Sequence, residues 1–196
     1  MKPSYSTFEA KANKSYIDLP PVGAYVAEIK KAEEVDHFGR QAIEIMLDIC
    51  EGEYKDRYTE VWRDQDEKWG NATYRGTFRI VLPIDNDEDW RKRQFEGNLW
   101  CVQESNPGYA WDWDEKKLKG KKVGISVRKK LYTGKDKDGN EVDRETTEIA
   151  KFETVDDVRN GKCKPVKERD TRKNKTEQSN NQQFTPVESS EVSVPW

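Results

Sequence analysis

A chain of 196 residues with 35 Lys+Arg, 38 Asp+Glu and one His carries a net charge of -3 and only 33% hydrophobic residues. That length suits one well-filled domain plus a tail, and the near-balanced charge excludes any overall attraction to nucleic acid or anionic membrane, so such attraction must be local. The dense apolar runs all precede Phe152, which predicts a compact domain followed by a solvated extension.

Residues 1–18 are polar, with no apolar signal core, and are expected to form a flexible lead-in; no stretch reaches membrane-spanning length. A soluble, intracellular protein is the expectation. Cys50, Cys101 and Cys163 are an odd set without a CxxC spacing, which predicts separate reduced thiols, no zinc site and no cofactor.

LPPVG, Leu19 to Gly23, punctuates the start of a first strand. In AYVAEIKKAEEV, Tyr25, Ala27 and Ile29 alternate with Val26, Glu28 and Lys30. DHFGR turns at Gly39. QAIEIMLDI then places Ile43, Ile45, Leu47 and Ile49 on one face and Glu44, Met46 and Asp48 on the other, the clearest period-2 signal in the chain. RYTEVWR is rich in β-branched and aromatic residues and reads as a third strand. GTFRIVLP admits either a short strand or the start of a helical region.

DNDEDWRKRQFEGNLWCVQES reads as a helix with an acidic first turn, an arrangement the helix dipole favours, and with Trp90, Phe95, Leu99 and Val102 at helical spacing. Asn106-Pro107-Gly108 stops it. LKGKKVGISVRKKLY is a fourth strand, with Val123, Ile125 and Val127 inward and Lys122, Gly124, Ser126, Arg128 and Lys130 outward. A DG turn in TGKDKDGNE leads to a fifth strand in VDRETTEIAKFETV. From Lys162 the chain becomes basic and then Gln/Asn-rich, and cannot build a core.

Five short strands with a helical connection between the third and fourth are the arrangement of an OB-fold barrel, a mainly β architecture. The expected division is a lead-in over 1–18, an OB-fold domain over 19–161, a linker over 162–187 and a terminal tip over 188–196. A small barrel also suits so polar a chain, because only one face of each strand must be apolar.

Several lysines crowd the fourth strand and its approach, and salt screens the remote acids beyond a Debye length of about 8–10 Å. Lys119, Lys121, Lys122, Arg128, Lys130 and Arg40 are therefore the candidate phosphate ligands. Tyr109, Trp111 and Trp113 occupy alternate positions just before this strand and, if extended, lie on one side; otherwise they cap the barrel or cover the helix. Tyr58 and Trp62 share a face of the supposed third strand, Phe38 lies in the first hairpin loop, and Tyr132 opens the loop between strands four and five. These seven rings are the candidate base-stacking residues, because stacking contributes about 1–3 kcal/mol per base and tolerates any sequence. Glu44 and Asp48 oppose this reading. They face outward on the surface an OB-fold turns to DNA, so either the groove runs elsewhere or the register differs.

With strands, basic segment and tail in view, the chain resembles bacteriophage single-stranded DNA-binding proteins of the OB-fold type. The resemblance covers the topology over about Gly23 to Val155 and, more specifically, the ending Val194-Pro195-Trp196 preceded by Glu188 and Glu191. It implies sequence-independent binding of single strands during phage DNA replication or recombination in the host cytoplasm. It also implies a disordered tail whose tip recruits replication and recombination proteins, and leaves room for a homo-oligomer. The tip departs from the usual pattern in ending on Trp and in being only mildly acidic. Physically, an aromatic ring and a terminal carboxylate can be captured together by an apolar pocket beside a basic residue. The basic linker can add phosphate contacts, hold the tip near the barrel, or be merely solvated.

Two other functions compete. A nuclease would use Asp85–Asp89 or Glu44 and Asp48 to hold Mg²⁺, yet no nucleophile–base pair, phosphate-cradling glycine loop or histidine cluster accompanies them. A carbohydrate-binding β-module would use the same rings on sugars, against which stand the absent secretion signal and the lysine-dense fourth strand.

Overall fold

The computed structural model describes residues 17–172. In chain order these form β1 (Gly23–Asp36), β2 (Gln41–Ile49), α1 (Arg57–Trp69), β3 (Thr77–Val81), α2 (Asp89–Glu104), a 3-10 turn (Glu115–Leu118), β4 (Lys122–Lys135), β5 (Glu141–Glu153), α3 (Val155–Arg159) and the two-residue β6 (Arg169–Asp170). The architecture is mainly β. A six-stranded sheet runs β3-β2-β1-β4-β5, with β6 beside β4.

The strands read from period-2 alternation appear where expected. Ile43, Ile45, Leu47 and Ile49 of β2 are all buried, as are Val123, Ile125 and Val127 of β4. In β1 Ala27 and Ile29 are buried as expected, but Val26, expected on the outer face, is buried as well; the register against β2 then shifts at Lys30, between Ile29 and Lys31. The extra residue lets Ala32 rather than Lys31 turn inward, so a bulge keeps the charge out of the core.

RYTEVWR is not the third strand; it is the first half of α1. Tyr58, Val61 and Trp62 fall at i, i+3 and i+4, and Tyr58 and Val61 are the buried positions of the helix. Strand propensity there yields to tertiary contacts. The stop is Gly70, whose left-handed backbone (φ 69°) directs its N–H to the Asp66 carbonyl. The third strand is the stretch that admitted two readings: Thr77–Val81 pairs antiparallel with Ala42–Met46.

The expected closed barrel is also corrected, because the sheet is open between β3 and β5. Helix α2 lies at this seam. The Asn98 Oδ1 accepts the Phe152 N–H of β5 at 3.4 Å, and the Phe78 ring of β3 lies 4.7 Å from that of Phe152. The two edges therefore meet through side chains and a helix rather than through a backbone ladder. Further along, Ser105 Oγ accepts the Val155 N–H at 3.0 Å, and the Asn106 amide bonds both the N–H and the C=O of Lys122. The C-terminal end of α2 is thus tied to α3 and to the start of β4.

The described residues divide into two compact units, one running through Arg128 together with Thr147–Lys167, the other Lys129–Thr146 with the residues from Glu168. Burial along β4 falls off after Val127. The first unit holds the apolar core. In the second, β6 runs parallel to Lys130–Leu131, Thr171 donates N–H and Oγ1–H to the Leu131 carbonyl, and Arg172 bridges Asp170 and Asp143. Among the described residues no helix is long and apolar enough to cross a membrane. Val194, Pro195 and Trp196 lie outside the described residues, as do most of the lead-in and linker.

Candidate functional site

The β1–β2 hairpin turns on Phe38 and Gly39, both with positive φ (54° and 76°), between reciprocal backbone hydrogen bonds of His37 and Arg40. Positive φ at both central residues is the two-residue type I′ pattern, where Asn-Gly is the usual pair. Phe38 is instead held in a backbone region that is strained for a bulky side chain, and its ring is 94% exposed.

Trp113 repeats this combination, with φ 68° and a ring 68% exposed. Its ring stacks on Phe95 of α2 with centroids 5.9 Å apart, and Trp111 lies at 6.1 Å. Trp111 and Tyr109 are half-buried. The Trp111 backbone N–H donates to Gln103 Oε1 at 2.7 Å, and the Lys121 ammonium sits 4.7 Å from the centre of the Tyr109 ring. Tyr109, Trp111, Trp113 and Lys121 are thus brought together around the end of α2. A cation over a ring that is also partly desolvated contributes about 0.5–2 kcal/mol.

Other candidates are placed differently. Tyr58 is 2% exposed and packs in the core, with burial holding its hydroxyl well above the usual tyrosine range, so its ring is not offered to a base. Trp62, on the same helix, is half-buried and donates its Nε1–H to the Ala72 carbonyl at 3.2 Å. The basic segment meets acids delivered from distant parts of the chain. Lys122 pairs with Glu51 at 3.2 Å and Arg128 with Glu148 at 2.8 Å, while Lys117 pairs locally with Asp112. Within β4, Gly124 and Ser126 are buried rather than outward, because α3 and the end of β5 cover them: Ser126 Oγ donates to Glu153 at 2.7 Å. Lys119 is exposed beside the 3-10 turn. Lys130 and Tyr132 belong to the second unit, where neighbouring Lys129 pairs with Glu145.

Arg40 is a structural clamp. It forms a two-pronged pair with Asp87 and donates to the Leu82 carbonyl at 2.9 Å, fixing the hairpin to the β3–α2 connection. Beside it opens a cleft walled by β3 and α2, lined by Arg40, Arg79, Arg91, Gln94, Phe95 and Asn98 among others. Arg79, Arg91 and this cleft escaped the sequence reading, since the two arginines lie on separate elements, Arg79 alone in β3 and Arg91 in the short RKR run of α2, and nothing along the chain brings them together.

Three of the acids that a metal-dependent nuclease would use are committed to protein partners. Asp48 accepts three backbone N–H groups, Glu44 pairs with Arg79, and Asp87 with Arg40. The three cysteines are free, separate thiols, and burial pushes Cys101 up to about 11. No protein-family model matches this sequence, and no curated protein is significantly similar to it.

Proposed function

We propose that the protein binds single-stranded DNA without sequence preference, on a surface formed by the β1–β2 hairpin, α2 and the segment before β4. Phe38 and Trp113 carry this reading. Two large rings stand in solvent, each on backbone that disfavours a bulky residue, and such strain of about 1–3 kcal/mol persists where it serves display. A half-buried Tyr109 under Lys121 and an exposed Lys119 supply the neighbouring cation–ring chemistry.

The strand order β3-β2-β1-β4-β5, with a helix between β3 and β4, supports an OB-fold opened at one seam. That fold is itself a partly open barrel which binds oligonucleotides on its second and third strands and adjacent loops. The tail ending in Val194-Pro195-Trp196 serves, on this proposal, to recruit replication or recombination proteins. Its removal leaves DNA affinity nearly unchanged and abolishes that recruitment.

Quenching of tryptophan fluorescence by oligo-dT at two salt concentrations tests the reading. Quenching that weakens steeply with salt is expected, because each phosphate engaged by a cation releases counterions. Salt-insensitive quenching by a neutral oligosaccharide, or none by oligo-dT, sinks it.

A further inference from the structure

The geometry points to the cleft between β3 and α2 as the seat of a backbone phosphate of the bound strand, which moves the phosphate path away from the lysines of β4. The identity of the ligand rests on the single-strand reading above; the cleft as a phosphate site does not.

Three guanidiniums converge there, one from the hairpin (Arg40), one from β3 (Arg79) and one from α2 (Arg91), beside the amides of Gln94 and Asn98. Their counter-charges are fewer. Glu44 serves Arg79, while Asp87 is shared between Arg40 and a more distant Arg91 at 4.0 Å. Three guanidiniums thus face two carboxylates in the ion pairs of the cleft, Arg91 also lies over the Trp90 ring at 4.8 Å, and the Arg40 Nε is buried without a hydrogen bond. The side chains of Arg79 and Arg91 are 48% and 46% exposed, so both can swing onto an anion. Guanidinium forks match the oxygens of a phosphate two at a time. Ile80 and Phe95 furnish an apolar floor that strengthens such interactions by excluding water.

Phe95 links the cleft to the displayed ring. It lines the cleft and stacks on Trp113. A phosphate held by Arg79 and Arg91 thus sets its own base toward Trp113, and the hairpin bearing Phe38 is locked to the same cleft through Arg40. The basic side chains of β4, with Lys122 paired to Glu51, Arg128 to Glu148 and Lys129 to Glu145, contribute less.

The test uses the full chain, oligo-dT and inorganic phosphate. Arg79→Gln and Arg91→Gln are each expected to weaken oligo-dT binding about tenfold. Each should also flatten the slope of log affinity against log salt by about 0.7, the share of one neutralised phosphate on a single strand. Glu44→Gln releases Arg79 and is expected to tighten binding about two- to fivefold, an effect that misfolding cannot mimic. Arginine Nε–Hε resonances should shift on adding inorganic phosphate alone. If the wild type binds oligo-dT and all three variants keep its affinity and salt slope, the cleft assignment is overturned while the single-strand reading stands. Phosphate shifts without any oligo-dT binding uphold the cleft and end the nucleic-acid reading. Absence of both effects ends both.

Discussion

Asp48 caps a helix that begins well downstream of it: its carboxylate accepts the N–H groups of Tyr58 at 3.0 Å and Thr59 at 2.9 Å, the first turn of α1. The residue at the helix's own start, Asp56, has left-handed backbone (φ 58°) and makes no side-chain cap. A third bond, from the Ile49 N–H at 2.9 Å, completes the set on a fully buried carboxylate. Anchoring a helix N-terminus from a neighbouring strand satisfies orphan donors and places negative charge at the positive end of the dipole. Asp48→Ala should therefore destabilise by about 3 kcal/mol, since it strands buried donors, and Asp48→Asn by less. The urea midpoint measures this, and a loss under about 0.5 kcal/mol for the alanine variant contradicts the capping role.

Glycines at two sites should respond with opposite sign. A Cβ on Gly76 would meet the Leu47 carbonyl oxygen at 2.3 Å and Tyr58 Cγ at 2.9 Å, where β2, β3 and α1 come closest, so Gly76→Ala should lower the melting temperature clearly. At Gly97, inside α2, nothing lies within 4 Å of that position. Gly97→Ala should add up to about 1 kcal/mol and raise the melting temperature by about 2–4 °C.

Phe38 should reveal a conflict between stability and binding. Phe38→Asn relieves the left-handed strain and supplies the residue that type I′ turns favour, so stability should rise by about 1 kcal/mol. Oligo-dT affinity should fall by about 1–2 kcal/mol as a stacking ring is removed. Trp113→Ala should weaken binding similarly. A Phe38→Asn protein that binds as tightly as wild type removes the hairpin from the interface.

Acid should loosen the clamp between the hairpin and the β3–α2 connection. The Arg40 guanidinium, and then the Ile84 N–H, hold the Asp87 carboxyl below its ordinary range. With its folded value below the unfolded one, near 3.9, the unfolded state binds more protons between the two, so stability rises with pH there. The contribution is complete above the unfolded value and is lost as pH falls through the folded one. Urea midpoints measured from pH 2 to 6 should fall less steeply for Asp87→Asn than for wild type; parallel curves exclude the clamp as a source.

The sequence by itself determined the elements whose burial is one-sided and local. Period-2 alternation located β1, β2 and β4, and the spacing of Phe95, Leu99 and Val102 located α2, because those patterns follow from which face meets the core, while the DG turn before it located β5. Tertiary structure decided what depended on distant partners. RYTEVWR became a helix once Asp48 could cap it and Tyr58 and Val61 could be buried, against its strand propensity. Asp48 itself, which alternation placed on the outer face, is buried there by α1. The lysines of β4 read as free charge along the chain, yet Glu51 and Glu148 meet the basic side chains of that strand in space. The arginine cleft is assembled from the hairpin, β3 and α2, and no one-dimensional pattern records a convergence of single residues from three elements.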